Sequence, residues 1–203
     1  MAGREAYHHG DLAAAAVEAA LQLIEDDASA GFSLRALADR LGVAHRALYN
    51  HFADREALLV AVAARGFERL SDSLMHAPDA AGFLGTYVRF ALDQPGLYGV
   101  MMARSYDQFN AAPRLRAAAD RMIAIALRQL AVDGADDDTR RRAVMRVWML
   151  AHGGIGLHRS GVLRMRSDAE FIDEILRIAG LAELQPQTPQ LLWSGTSQTE
   201  DHP

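Results

Sequence analysis

One stretch decides the fold of the N-terminal part of this chain. Residues 33–52 read Ser-Leu-Arg-Ala-Leu-Ala-Asp-Arg-Leu-Gly-Val-Ala-His-Arg-Ala-Leu-Tyr-Asn-His-Phe. Apolar residues recur in its first half at helical spacing, which predicts a short helix with one apolar face: Leu34, Leu37, Ala38 and Leu41. Ser33 stands where a helix N-cap belongs, because its hydroxyl can accept a bond from an orphan amide. Gly42 predicts a bend after this helix, since a tight turn often needs a residue that tolerates positive φ.

A second short helix is expected over residues 44–51, held down by Leu48 and Phe52. Its other positions are polar or amphipathic: His45, Arg46, Tyr49, Asn50 and His51. Two short helices joined by a glycine-containing turn describe a helix-turn-helix, whose second helix can enter the major groove of DNA. The sequence therefore predicts a DNA-binding element.

The same residues resemble the TetR family of transcriptional repressors. Four segments carry the resemblance: Ser33-Leu34-Arg35-x-Leu37-Ala38, Leu41-Gly42-Val43, Leu48-Tyr49-x-His51-Phe52 and Asp54-Arg55-Glu56-x-Leu58-Leu59. The resemblance implies DNA contacts of three kinds: phosphates beside the groove for Ser33 and Arg35, bases or backbone for His45, Arg46, Tyr49 and Asn50, and a backbone clamp for His51 and Arg55. Two positions depart from the family pattern. Ala44 replaces a usual small hydroxyl residue, which removes one cap or phosphate bond, and Arg55 replaces a usual Lys but keeps the charge.

The bulk composition favours an all-α protein. At 203 residues the chain can bury a sizeable core, and half of the residues are hydrophobic while β-branched runs are scarce. The absence of Cys excludes a disulfide framework and a thiolate metal site. No apolar run approaches the roughly 20 residues that span a bilayer, and no signal pattern opens the chain. We therefore expect a cytoplasmic protein with no membrane association, no cofactor and no metal site.

Net charge is the global feature that argues against binding to nucleic acid. The chain carries −5, and residues 1–70 contain more Asp and Glu than Arg. Proteins that bind DNA without sequence preference need a basic face. Arg35, Arg46 and Arg55 are expected on the proposed binding side, so we predict weak, salt-sensitive binding to random DNA. The acidic balance also leaves a second hypothesis, a ligand-binding module that has lost DNA recognition.

The chain divides into three parts by pattern. Residues 10–70 form a three-helix helix-turn-helix head, residues 79–181 form a C-terminal helical domain for ligand binding and dimerisation, and residues 184–203 form a disordered tail. Side chains that can cap helices open several of the expected elements: Asp11, Asp54, Asp138 and Asp168. Pro95 and Pro113 can occupy first turns. The last two helices keep apolar residues beyond those that a core needs, which indicates a homodimer through a four-helix bundle.

A Met and aromatic stripe follows Pro95. It includes Tyr98, Met101, Met102 and Phe109. Such a stripe is most often core, and the sharper alternative is the wall of an effector pocket in which flexible Met side chains adapt to apolar ligands.

Trp148 and His152 lie one turn apart on the penultimate helix and precede Gly153. This element is similar to that of the TetR subfamily whose C-terminal domain is called WHG. The resemblance implies that the Trp and His line or close a ligand cavity. The alternative is that the Trp only packs in the core and that the His is a core residue hydrogen-bonded to a carbonyl. The sequence leaves both interpretations open.

Three functions follow from these patterns. The leading one is a homodimeric repressor that binds double-stranded operator DNA and is released by a small apolar effector. The second is the ligand-binding module named above. The third is an all-α enzyme that uses His152 and a carboxylate as an acid–base pair, although no nucleophile motif, phosphate loop or metal constellation supports it. No catalytic residue is expected.

Overall fold

The computed structural model describes residues 12–26, 33–130 and 134–181. Their regular secondary structure is helical: α1 (Leu12–Asp26), α2 (Leu34–Leu41), α3 (His45–Tyr49), α4 (Arg55–Leu74), α5 (Ala80–Asp93), α6 (Pro95–Met102), α7 (Tyr106–Ala111), α8 (Pro113–Gln129), α9 (Asp137–Arg159) and α10 (Asp168–Ile178). The all-α prediction is confirmed. The expected Asp11 cap and the predicted tail at 184–203 lie outside the described residues.

The helix-turn-helix forms as the sequence predicts. The Ser33 Oγ accepts a bond from the Ala36 amide at 3.1 Å, and α2 ends at Gly42 with φ 65°. Leu48 is fully buried and Phe52 nearly so, which fixes the inner side of α3. The structure confines α3 to His45–Tyr49, a shorter helix than the predicted 44–51, and Ala44 makes no side-chain cap bond there.

Two expected helix caps are corrected by the structure. Asp136 caps α9 by accepting from the Thr139 amide at 2.7 Å, whereas Asp138 was the predicted cap. Ser167 caps α10 by accepting from the Glu170 amide at 3.2 Å, whereas Asp168 was expected. In both cases the acid chosen from the sequence lies inside the first turn, where its charge still suits the helix N-terminus.

Helix α4 is the central element of the fold. It packs against α1, α5, α6 and α8, and its inner residues are buried from Leu58 to Leu74. Glu18 of α1 binds Arg65 and Arg69 of α4. On the opposite side Glu68 of α4 binds Arg114 of α8 through two bonds, of 2.9 and 3.0 Å. The pKa of Glu68 is lowered, chiefly by the hydrogen bonds from Arg114. One helix therefore contacts both α1 and the C-terminal helices.

Candidate nucleic-acid interface and ligand cavity

The outer side of α3 presents polar side chains. Arg46, Tyr49 and Asn50 are exposed, and Tyr49 keeps 53% of its surface accessible although it is aromatic. The buried Leu48 holds the opposite side of the helix against the head. An exposed Tyr beside Arg and Asn offers the donors, acceptors and apolar ring surface that contact DNA bases and phosphates.

The residues that flank α3 are also exposed. Arg35 lies on α2, His51 follows α3, and Arg55 opens α4. Ser33 is exposed too, but its Oγ already caps α2, so a phosphate contact would share that oxygen. Asp54 caps α4 through the Ala57 amide at 2.8 Å, which fixes the start of the helix that carries Arg55.

His45 has a partner that the sequence pattern does not predict. Its Nε2 lies 2.8 Å from the Asp39 Oδ1, and the Asp39 side chain is 66% exposed. The two residues are six positions apart, across the turn between α2 and α3, so helical spacing alone gives no signal for this pair. A carboxylate here neutralises a protonated His45 and repels phosphates nearby.

A cavity of about 620 Å³ lies among α4, α5, α6, α7, α8 and α9. This volume is within the usual range of small-molecule sites, about 300–1,000 Å³. Apolar side chains form most of the wall: Phe67, Phe83, Leu84, Met101, Met102, Phe109, Ala119, Met122, Ile123, Ala126, Leu127, Leu130, Val144, Met145, Val147, Trp148 and Ala151. Polar and charged side chains also contribute: Tyr87, Arg104, Tyr106, Asn110, Arg116, Asp120 and Arg141.

The six residues singled out for ligand binding fall into two groups. Met101, Met102, Phe109 and Trp148 line the cavity. Tyr98 and His152 do not line it. Tyr98 is buried behind the wall, and its hydroxyl lies 3.0 Å from that of Tyr87 and 2.9 Å from the His152 Nδ1. The His152 ring stacks on Trp148 with a centroid distance of 5.9 Å.

These contacts form a chain of four side chains: Tyr87, Tyr98, His152 and Trp148. Both ends of the chain line the cavity, so ligand contacts at Tyr87 or Trp148 reach Tyr98 and His152 indirectly. Burial raises the pKa of Tyr87 and that of Tyr98. Both hydroxyls therefore stay neutral and act as hydrogen-bonding groups. Among the described residues, His152 forms its side-chain hydrogen bond with the Tyr98 hydroxyl, whereas the enzyme hypothesis requires a carboxylate partner.

Helix α6 connects this cavity with α1. The Glu25 carboxylate, near the end of α1, accepts bonds from the Gly96 amide at 3.2 Å and the Leu97 amide at 2.6 Å. These amides open α6, so the carboxylate satisfies orphan donors and lies at the positive end of the helix dipole. A Cβ on Gly96 would lie 2.5 Å from the Ile24 carbonyl oxygen, so only Gly permits this approach. The other end of α6 carries Met101 and Met102 of the cavity wall.

Several lining residues were not identified from the sequence. Phe67 lies on α4, within the residues 10–70 that were predicted to form the head. Its ring centroid lies 5.9 Å from that of Phe109. Phe83 and Tyr87 belong to an aromatic face of α5 that is visible as a helical repeat but is equally typical of core. Arg104 is a single cation after α6, and no local pattern marks it.

Residues 12–26, 33–130 and 134–181 contain neither a membrane-spanning helix nor a cluster of metal-ligating side chains. No helix in these ranges is long and apolar enough to cross a membrane. The same residues bring together no group of three or more His, Cys, Asp or Glu side chains that could hold a metal ion.

Two family models match the chain. Residues 16–62 match the family described as "Bacterial regulatory proteins, tetR family". Residues 80–178 match the family described as "Tetracyclin repressor-like, C-terminal domain". The first match includes α2 and α3, and the second includes most of the cavity wall. Neither description names the WHG type, so that resemblance stays a prediction.

Individual proteins are also similar to this chain in sequence or in fold. The chain is 27% identical over 145 residues to YobS of Bacillus subtilis, an uncharacterised helix-turn-helix transcriptional regulator; the match spans 68% of this chain and 73% of YobS. A solved structure of a protein of unknown function from Rhodococcus sp. RHA1 is 30% identical with a TM-score of 0.71, covering 89% of this chain and all of that one. The TetR-like regulator LfrR of Mycobacterium smegmatis, solved with proflavine, has the same fold at 19% identity, with a TM-score of 0.54 over 86% of this chain and 98% of LfrR.

Proposed function

Because this chain belongs to the TetR family of bacterial transcriptional regulators, we propose that it acts as a homodimeric repressor. The dimer binds double-stranded operator DNA with the two copies of α3 in successive major grooves. A small, largely apolar effector fills the cavity of about 620 Å³ and releases the DNA. The observation that carries the proposal is the exposed polar face of α3, held to the head by the buried Leu48.

The eight residues proposed to contact DNA differ in their roles. Arg46 and Tyr49 on α3, with Asn50 at its C-cap, contact bases or backbone together with His45. Four residues at the edges contact phosphates: Ser33, Arg35, His51 and Arg55. Phosphate contacts position a protein on the duplex, and base contacts supply its specificity.

Exposed apolar side chains on the last two helices support the dimer. They are Met145, Trp148, Met149 and Leu157 on α9 and Ile178 on α10. On α9, a Cβ added at Gly153 or Gly156 would meet nothing within 4 Å, so a second helix can approach closely there. Large apolar side chains on neighbouring helices favour pairing with an identical surface.

The link between effector and DNA runs through α6 in this proposal. A ligand that contacts Met101 and Met102 displaces α6, and Glu25 transmits the displacement to α1 of the head. The coupling needed is modest, because about 1–3 kcal/mol changes an affinity by roughly 5- to 150-fold. The effector must bind the DNA-incompetent conformation more tightly, since only differential affinity shifts the equilibrium.

A ligand-binding module without DNA recognition is the second candidate function. The exposed Asp39 beside His45 favours it, because a carboxylate on this face opposes phosphate binding. The missing side-chain cap at Ala44 points the same way.

A fluorescence anisotropy titration tests the proposal. Labelled duplexes from the intergenic regions that flank its gene are titrated with protein at several salt concentrations. Arg46→Ala is expected to weaken binding to the best fragment by about 1–3 kcal/mol, because it removes one exposed DNA contact. Arg89→Ala, an exposed Arg on α5, is the matched control and is expected to bind as the wild type does.

Undiminished binding by Arg46→Ala, at unchanged helicity, would contradict the proposed interface. Failure of the wild type to bind any fragment, while a ligand still fills the cavity, would favour the second candidate.

A further inference from the structure

Arg104 contacts both the ligand cavity and the first turn of α4. It lines the cavity, and its side chain is only 8% exposed. It also forms an ion pair with Glu56, in the first turn of α4, directly after the DNA-contact candidate Arg55. A single guanidinium therefore connects the ligand cavity with the start of the helix that follows the helix-turn-helix.

The contacts of Arg104 fix its position. Its Nε donates to the Val100 carbonyl oxygen at 3.0 Å, which ties the side chain to α6. Its Nη1 donates to the Glu56 Oε1. The same carboxylate oxygen accepts a bond from the Gln108 Nε2 at 2.6 Å. A guanidinium has five N–H donors, so Arg104 can bind another anion without releasing Val100.

The two partners of this ion pair differ in their access to water. Glu56 is 49% exposed, so its carboxylate can be hydrated when it leaves Arg104. Arg104 is nearly buried, and a buried cation needs an anion or other acceptors beside it. Replacement of Glu56 by another carboxylate therefore costs less free energy than leaving Arg104 without an anionic partner.

The cavity itself favours an anionic ligand. Its wall is mainly apolar, and the charged side chains in it are Arg104, Arg116, Arg141 and Asp120. Arg116 lies 3.8 Å from Asp120, and both side chains are more than 60% exposed, so this pair lies at the solvent side of the wall. Arg104 is the buried cation among the four.

We propose that the effector is an amphipathic carboxylate whose apolar body fills the cavity and whose carboxylate replaces Glu56 on Arg104. Binding then breaks the ion pair between the cavity wall and the start of α4, so that the Gln108 bond alone holds Glu56 and the segment that carries Arg55 is held less tightly. This inference rests on the proposed ligand-released DNA binding for its regulatory part. The ligand chemistry itself is independent of DNA.

Isothermal titration with decanoate, decanol and decylamine tests the ligand chemistry on the free protein. The three probes share the apolar chain and differ only in the head group. Decanoate is expected to bind at least about tenfold tighter than either analogue, because a hydrogen-bonded ion pair forms only with the carboxylate. Arg104→Gln is expected to abolish this preference.

Glu56→Gln serves as the second variant, because Glu56 lies at the surface and the substitution removes the competing charge. Decanoate is expected to bind Glu56→Gln several-fold tighter than the wild type, with the affinity for decanol unchanged. This arm keeps the proposal testable if Arg104→Gln fails to fold. Equal affinities for the three probes, no binding by any of them, or weaker decanoate binding by Glu56→Gln would overturn the proposal.

Anisotropy with bound DNA separates this inference from the function above. Decanoate, but not decanol, is expected to release a bound duplex from the wild type. A carboxylate preference in a protein that binds no DNA would leave the ligand chemistry standing and refute only the repressor function.

Discussion

At the residue scale, Tyr98 shows how a side chain behind the cavity wall can influence the wall. Its hydroxyl lies within hydrogen-bond distance of Tyr87 and of the His152 Nδ1, and the stacked Trp148 extends the chain. Tyr87 and Trp148 both line the cavity. Tyr98 therefore positions two lining residues without lining the cavity itself.

Tyr98→Phe is expected to lower the free energy of unfolding by about 1–2 kcal/mol, because it leaves the buried Tyr87 hydroxyl without this partner. Urea denaturation followed by circular dichroism measures the change. Tyr106→Phe is the matched control, since Tyr106 is 79% exposed and the same atom is removed there. The control is expected to stay within about 0.5 kcal/mol of the wild type. Equal effects of the two substitutions would show that the hydrogen bond between the Tyr98 and Tyr87 hydroxyls does not stabilise the fold.

Sequence patterns could predict single residues where local spacing decides their environment. Leu48 and Tyr49 were assigned to opposite sides of α3 from the pattern alone, and the structure agrees. The contact between His45 and Asp39 and the ion pair between Arg104 and Glu56 could not be predicted. Both depend on how helices meet, which local periodicity does not encode.

At the element scale, the start of α6 depends on its close contact with α1. Glu25 satisfies two amides of α6, and Gly96 permits the Ile24 carbonyl to approach. A well-packed site of this kind responds strongly to one added methyl group.

Gly96→Ala is expected to destabilise the protein by about 1–3 kcal/mol, because the new Cβ would lie 2.5 Å from the Ile24 carbonyl oxygen. Gly99→Ala, in the same helix, is the matched control, since its Cβ would meet only the Arg159 Nη1, at 4.0 Å. The control is expected to stabilise the helix by about 0.5–1 kcal/mol. Chemical denaturation of both variants measures the difference, and a Gly96→Ala variant as stable as Gly99→Ala would refute the close contact.

Helix boundaries were predicted well where a single residue could act as the signal. Pro95 and Pro113 open α6 and α8 as expected, and Gly42 ends α2. The caps of α9 and α10 were assigned wrongly because several acceptors stand side by side there, and only the chain geometry selects among them. The part of α4 in the cavity wall was also missed, since a helical pattern does not state which neighbours the helix contacts.

At the scale of the whole molecule, three surfaces serve the proposed function: the exposed face of α3, the cavity of about 620 Å³ and the apolar face of α9 and α10. In the proposed function, helix α6 and Arg104 link the first two surfaces, and pairing of the last two helices would place two copies of the first in one dimer. A net charge of −5 predicts weak nonspecific attraction to DNA, and the proposed interface must then supply the affinity through specific contacts.

The central claim, that two identical copies of α3 read two half-sites, is tested most directly by selection from a random duplex library. The wild-type protein is expected to enrich an inverted repeat whose half-sites are separated by about one helical turn or a multiple of it. Arg46→Ala is expected to lose the enrichment while Arg89→Ala retains it. Enrichment of no sequence, or of a single site without a repeat, would contradict the claim.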